Sequence, residues 1–131
     1  MRAGELTVGD LVRRGALRSP QRPALRDAER GAVSYAELDR RTDRLANALL
    51  GTGLDPGDRV AAWLGDRVEY VELYLAAAKA GLVVVPINAR LRSGEAEHPL
   101  LDSGARALFF CDAIAGSVEE LDGAAELTKV A

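Results

Sequence analysis

The chain has 131 residues, a net charge of −3 and 48% hydrophobic residues, the size of one domain and enough to bury roughly two thirds of the surface its unfolded chain exposes. With 17 basic against 20 acidic residues there is no global positive field for nucleic acid. A single cysteine, Cys111, and a single histidine, His98, exclude a disulfide framework, a cysteine-based zinc site and a two-histidine metal site. The opening residues Met1–Leu6 hold no apolar run of signal-peptide length, and no apolar stretch is long enough to span a bilayer. The expectation is a cytoplasmic protein with neither nucleic acid nor membrane as partner. Lys79 and Lys129 are the only lysines, an arginine bias that fits codon usage in a GC-rich bacterial genome.

In chain order, the first predicted element is a helix from about Val8 to Leu17 with Thr7 as N-cap, ended by Ser19-Pro20. Pro23–Arg26 and Ala32–Ser34 read as two short strands around the polar turn Asp27–Gly31, a hairpin. Ser34-Tyr35-Ala36-Glu37 has the spacing of a capping box. Tyr35, Leu38, Thr42, Leu45 and Leu49 then recur at helical spacing, with Asp39, Arg40, Asp43 and Arg44 opposite, up to a stop at Gly51 or Gly53. Leu54-Asp55-Pro56-Gly57-Asp58 is turn chemistry leading into a strand, Arg59–Leu64. A helix capped by Asp66 follows, with Val68, Val71, Leu75 and Ala78 on one face and Gly81 at its end. Leu82–Ile87 lacks polar alternation and predicts a strand covered on both faces, with Pro86 at its exit. Ser93 can cap a helix to about Ser103; Ala105–Cys111 reads as a strand, Ile114–Leu121 as a short helix, and Leu127–Val130 as the start of another strand. Strand, helix, strand, helix, strand from Arg59 to Cys111 implies crossovers and a parallel sheet, hence an α/β fold with layered helices.

Most motifs that might carry chemistry have a plainer reading. Gly51-Thr52-Gly53-Leu54-Asp55-Pro56-Gly57 superficially resembles a dinucleotide loop. Proline stands where the third glycine is needed, however, and the segment leaves a helix and enters a strand, so no helix N-terminus faces a phosphate. No Walker A sequence occurs. Cys111 ends an apolar strand, where free cysteine packs as a small hydrophobe, and His98 precedes Pro99 on a helix surface, so a Cys-His nucleophilic pair is disfavoured. Glu119, Glu120 and Asp122 read as a solvated helix end, and Trp63 as core. Asp66 and Asp112 follow strands, but without the acidic pair and lysine of a receiver domain.

Five segments taken together point further. Ser34-Tyr35-Ala36-Glu37-Leu38, Gly53-Leu54-x-Pro56-Gly57-Asp58-Arg59-Val60-Ala61, Tyr74–Gly81, Val83–Leu91 and Leu101-Asp102-Ser103-Gly104-Ala105-Arg106 resemble, in that order, the N-terminal part of AMP-forming acyl-CoA synthetases and related adenylate-forming enzymes. The resemblance runs from about Leu6 to Phe110. It implies that residues 1–131 are the first part of that family's large N-terminal α/β domain, a layered parallel-sheet subdomain. Such enzymes use ATP and magnesium to convert a carboxylic acid to an acyl-adenylate, then pass the acyl group to CoA or another thiol. The family's phosphate loop, adenine-binding segments, hinge and catalytic lysine all come later than the matched region. The resemblance therefore implies an opening piece of such a ligase that is inactive alone and binds no cofactor by itself. Its partners would be the rest of the enzyme, or a second copy through exposed apolar surface; a stand-alone docking or oligomerisation module is the alternative. In some relatives a basic residue just after the Pro-x-Asn strand end approaches the CoA nucleotide. Arg90 matches that position, against the alternative of a surface arginine capping carbonyls. One stretch departs from the family: Pro99 interrupts a helix that is normally continuous, so that helix is expected to begin later or to kink.

Overall fold

The computed structural model describes residues 6–122 and 127–130. Residues 1–5, searched above for a targeting signal, and 123–126 of the tail lie outside the described residues. The chain forms two compact units. The first takes the residues up to Gly53 together with Arg67–Gly81; the second takes Leu54–Asp66 and the residues from Leu82 onward.

In the first unit, α1 (Val8–Arg18), β1 (Pro23–Asp27), β2 (Gly31–Ser34), α2 (Tyr35–Gly51) and α3 (Val68–Ala80) appear where the sequence patterns place them. The start of α1 is fixed by Asp10, whose Oδ2 accepts from the Thr7 amide at 3.0 Å and the Thr7 hydroxyl at 2.7 Å. β1 and β2 pair antiparallel. Their turn is held by Asp27 Oδ1, which accepts from the amides of Glu29 and Arg30 at 2.7 and 3.0 Å, and Gly31 supplies the positive φ of 83° that a side chain would resist. At the head of α2 only half of the expected capping box forms. Ser34 Oγ accepts from the Glu37 amide at 3.2 Å, but the Glu37 carboxylate pairs with Arg40 and Arg41 instead of returning to Ser34. Two guanidiniums one turn away outcompete a neutral amide for a carboxylate.

The core of this unit joins Val12, Val33, Leu38 and Val68, with Ala24, Leu25, Tyr35 and Leu75 packed around them. Along α2 the buried residues are Leu38, Thr42, Ala46 and Leu49; Leu45, expected on that face, is only half-buried. Thr42 is fully buried and satisfies its hydroxyl by donating to the Leu38 carbonyl at 2.8 Å. For α3 the expected face is wrong in part. Leu73, Ala76, Ala77 and Ala80 are buried with Val68, whereas Val71 is exposed. This helix is apolar around most of its circumference, so spacing alone does not choose a side. Its start is also one residue late: Arg67, not Asp66, is the N-cap. Its end at Gly81, in the left-handed conformation at φ 74°, is as expected.

The second unit is a four-stranded sheet in the order β4–β3–β5–β6, made of β3 (Arg59–Trp63), β4 (Val83–Pro86), β5 (Ala107–Phe110) and β6 (Thr128–Val130). All three pairings are parallel, as the alternation of strands and helices requires. The expectation that Leu82–Ile87 is covered on both faces is corrected. β4 is an edge strand, Val83 is 49% exposed, and complete burial belongs instead to β3, where Val60–Trp63 are all inaccessible. Pro86 ends β4, a position where its missing donor costs the ladder nothing. Helix α4 (Ser93–Asp102) starts where Ser93 suggested, with Arg92 as N-cap, and runs through Pro99, so it does not begin later. It closes with the Ser103 amide on the Pro99 carbonyl at 3.2 Å. The predicted helix Ile114–Leu121 is split into a single 3-10 turn, Asp112–Ile114, and a short α5, Ala115–Glu119. Among the described residues no helix is long and apolar enough to cross a membrane.

Gly15 tests the packing of the first unit. A Cβ there would lie 2.2 Å from the Tyr35 ring, and the cost of moving a packed ring exceeds the roughly 1 kcal/mol that alanine gains over glycine in a helix. Gly15→Ala should lower stability by about 1–2 kcal/mol in urea unfolding, where an ordinary helical glycine would show a gain.

Candidate functional site

The residue singled out by sequence, Arg90, sits in the loop after β4. The Ile87 amide still bonds to the Ala62 carbonyl at 2.9 Å, as a last rung beside β3. Asn88 then turns the chain. Its Oδ1 accepts from the Arg90 amide at 2.9 Å and its carbonyl accepts from the Leu91 amide at 3.0 Å, an Asx turn nested in a β-turn. Two residues later the Arg92 amide donates to Glu95 Oε2 at 2.9 Å, fixing the head of α4. The loop is thus held at both ends, with Arg90 exposed on it and in no ion pair with a carboxylate of the described residues. The loop leaves the carboxyl end of a parallel strand, the side on which open α/β sheets place their ligands.

The carbonyl-capping role that was the alternative for Arg90 is filled by another arginine. Arg59, the first residue of β3, donates from Nε to the Ser103 carbonyl at 2.9 Å and from a terminal nitrogen to the Gly104 carbonyl at 3.0 Å. It thereby closes the end of α4. Beside it, Asp58 Oδ2 accepts from the Asp55 amide at 2.8 Å and from Arg106 at 2.6 Å. The Asp55 amide foremost, and then Arg106, hold the Asp58 carboxyl below the usual aspartate range. These clamps secure the strand starts, at the opposite end of the sheet from Arg90. The sequence signal for them was the Gly-Asp-Arg-Val run, read there as turn and strand and as part of the family resemblance, with no role assigned to Asp58 or Arg59.

The remaining candidates are not brought together. Cys111 is buried at the end of β5 and His98 is exposed on α4. Glu119, Glu120 and Asp122 are exposed, with Glu120 accepting from the Ser93 hydroxyl at 2.8 Å. Among the described residues no group of three His, Cys, Asp or Glu side chains is arranged to hold a metal ion. Trp63 is core, as expected, and fully buried. Sequence reasoning missed Lys79. Its ammonium lies 2.7 Å from both Asp39 and Asp43, two residues read as part of a solvated face. Their i, i+4 spacing on α2 and the rarity of lysine in this chain were the available signals.

Comparison with known proteins decides what this arrangement belongs to. Residues 12–131 match the AMP-binding enzyme family. The chain belongs to that family. Over 117 residues it is 43% identical to the fatty acid–[acyl-carrier-protein] ligase ScoC of Streptomyces coeruleorubidus, covering 88% of this chain and 22% of that protein. Over 97 residues it is 46% identical to a feruloyl-CoA synthase of an Amycolatopsis species, covering 74% and 19%. In structure it is similar to the N-terminal domain of FACL13 from Mycobacterium tuberculosis, with a TM-score of 0.88 at 30% identity, over 95% of this chain and 33% of that one. It is also similar to the N-terminal subdomain of NpsA from Klebsiella oxytoca, solved with anthranilyl-AMSN, with a TM-score of 0.81 at 28% identity, over 95% and 31%. The chain spans about a fifth of the length of the curated relatives it matches. As an AMP-binding enzyme segment it has the α/β parallel-sheet architecture of these N-terminal regions.

The Asp58 clamp gives a pH test. Its carboxyl is depressed in the folded state, so its stabilisation is fully present above the usual aspartate value and is lost as pH falls through the depressed one. The stability gap between wild type and Asp58→Asn, measured by urea unfolding, should be constant near neutral pH. It should shrink toward zero as pH drops below about 4.

Proposed function

We propose that this chain serves as the N-terminal structural subdomain for an ATP-dependent ligase that converts a carboxylic acid to an acyl-adenylate and then to a thioester. The observation that carries the reading is the match of residues 12–131 to the AMP-binding family, in an architecture shared with the N-terminal domain of a mycobacterial acyl-CoA synthetase. The acid is of the aliphatic or aromatic kind named in the relatives, fatty or ferulic. ATP and magnesium belong to segments with a phosphate loop, which residues 1–131 do not contain, so this chain alone is expected to be inactive. CoA supplies the acceptor thiol. What this chain adds is position. Its parallel sheet presents the Asn88 turn, and Arg90 on that turn offers an exposed guanidinium, without an ion pair among the described residues, suited to the phosphates of a CoA nucleotide.

A second reading, self-association through exposed apolar surface, is favoured by the open edge of β4 at Val83 and by exposed Leu101 on α4. An unpaired strand edge is a template for a second copy. Gel filtration over a range of concentrations would reveal a dimer, and a monomer at every concentration would remove this reading.

Two measurements test the main reading. Pyrophosphate exchange by the 131-residue chain with ATP and fatty or aromatic acids should stay at background; any acid-dependent exchange overturns the expected inactivity. Placed in the corresponding region of the Streptomyces ligase, this segment should support adenylation. In the feruloyl-CoA synthase of the Amycolatopsis species, carrying the same segment, Arg90→Ala should raise KM for CoA about 2- to 10-fold and leave adenylation unchanged. A folded chimera without adenylation would reject the scaffold role, and an unchanged thiol KM would reject that of Arg90.

A further inference from the structure

We propose that Asn88 is a positioning residue for Arg90, a neutral side chain that holds the arginine's turn without giving it a charge to pair with, a role that rests on the reading of Arg90 as a contact for the CoA phosphates. Asn88 follows the last rung of the β3–β4 ladder, where the Ile87 amide bonds to the Ala62 carbonyl at 2.9 Å. It then makes two bonds to the turn. Its Oδ1 accepts from the Arg90 amide at 2.9 Å, and its carbonyl accepts from the Leu91 amide at 3.0 Å. The first bond spans Ala89 and the second spans Ala89 and Arg90, so the backbone of both residues is fixed. What the turn sets is the direction in which the arginine side chain leaves the backbone. Beyond Cβ the side chain still rotates among its staggered conformers, and the turn decides which region the guanidinium searches.

The choice of an amide over a carboxylate has a counterpart elsewhere in the chain. In the turn between β1 and β2 the same device is built on Asp27, whose Oδ1 accepts from the amides of Glu29 and Arg30 at 2.7 and 3.0 Å. The acceptor there is charged, and the arginine of that turn is committed, since Arg30 pairs with Glu69. In the Asn88 turn the acceptor is neutral. Arg90 is exposed and forms no ion pair among the described residues. An aspartate at 88 would accept the same amide more strongly, but it would place an anion two residues from the arginine. The guanidinium would then have a partner within its own turn, and an incoming phosphate would meet a like charge. Asparagine separates holding from pairing.

Asn88 is itself exposed, so a direct contact with CoA is the competing role. Its Oδ1 is engaged by the Arg90 amide, which leaves the two donors of Nδ2 to face outward. A positioning role and a direct contact differ in one respect: the first disappears when Arg90 is removed, and the second does not.

The test uses the Amycolatopsis feruloyl-CoA synthase carrying this segment, with CoA as the varied substrate. Asn88→Ala should raise KM for CoA about 2- to 5-fold, no further than Arg90→Ala does, and move KM for ATP and for the acid less than about twofold. On the Arg90→Ala background the same substitution should add nothing. Asn88→Asp should raise KM for CoA at about 50 mM salt, an effect that fades toward about 500 mM. In the 131-residue chain, hydrogen exchange of the Arg90 amide should be at least about threefold faster in Asn88→Ala and no faster in Asn88→Asp. A rise in KM that persists on the Arg90→Ala background would make Asn88 a direct contact and overturn the positioning role. So would equal changes in every KM, an Arg90 amide indifferent to Asn88→Ala, or an Asn88→Asp enzyme with wild-type KM at low salt. A wild-type KM in Asn88→Ala where Arg90→Ala is impaired overturns the role of Asn88 alone. A wild-type KM in Arg90→Ala removes the reading of Arg90, and the role of Asn88 with it.

Discussion

The burial of β3 is the constraint on which the rest of the second unit depends. A strand with parallel partners on both sides cannot be joined to either by a hairpin, so the chain must leave and return each time through a crossover. Val60, Ala61, Ala62 and Trp63 are all inaccessible, which accounts for the apolar run without alternation and for the two alanines in it. Trp63 shows which effect wins. Its indole Nε1 has no hydrogen-bond partner among the described residues, at a cost of about 1–3 kcal/mol. Burial of a side chain of some 150–250 Å² returns several kcal/mol on the usual scale of about 25 cal/mol per Å². The apolar area outweighs the lost bond, and the strand stays central.

Much of this was legible in the sequence because it rests on local rules. Turn residues, caps and glycines in left-handed conformations act within a few positions of themselves, so Gly81, the Asp27–Gly31 turn and the helix stop near Gly51 were placed correctly. The misses have a common physical origin in choices made over long distances. Nothing within Leu82–Ile87 shows that β4 lies at an edge while β3 lies inside; that depends on sheet order. Nothing within Val68–Ala80 selects Leu73 over Val71 when nearly every side of the helix is apolar. Arg59 and Arg90 follow a similar rule. Either could cap a helix end, and only the return of Ser103 and Gly104 to the start of β3 decides that Arg59 does so.

The same distinction separates the charged residues that hold the fold from those that do not. Lys79 lies between two carboxylates and is mostly shielded, so removing it would leave Asp39 and Asp43 facing each other without a cation, a larger effect than losing an exposed pair. Arg41 joins Glu37 of α2 to Glu72 of α3, and Arg30 reaches Glu69. These are contacts between elements far apart in sequence, and each takes a charge that would otherwise be free to meet a partner.

Set against that network, several exposed arginines form no ion pair among the described residues, and they stand at different kinds of position. Those of α1 and the start of the hairpin stand in a segment almost devoid of acids, beside exposed leucines. Arg90 stands on a turn at the carboxyl end of a parallel strand, where the large side chains of Ile87 and Leu91 are buried or half-buried. One cation on a turn held by hydrogen bonds at both ends has the geometry to meet a single phosphate group at a defined place. The interior of the chain and its ion pairs account for stability.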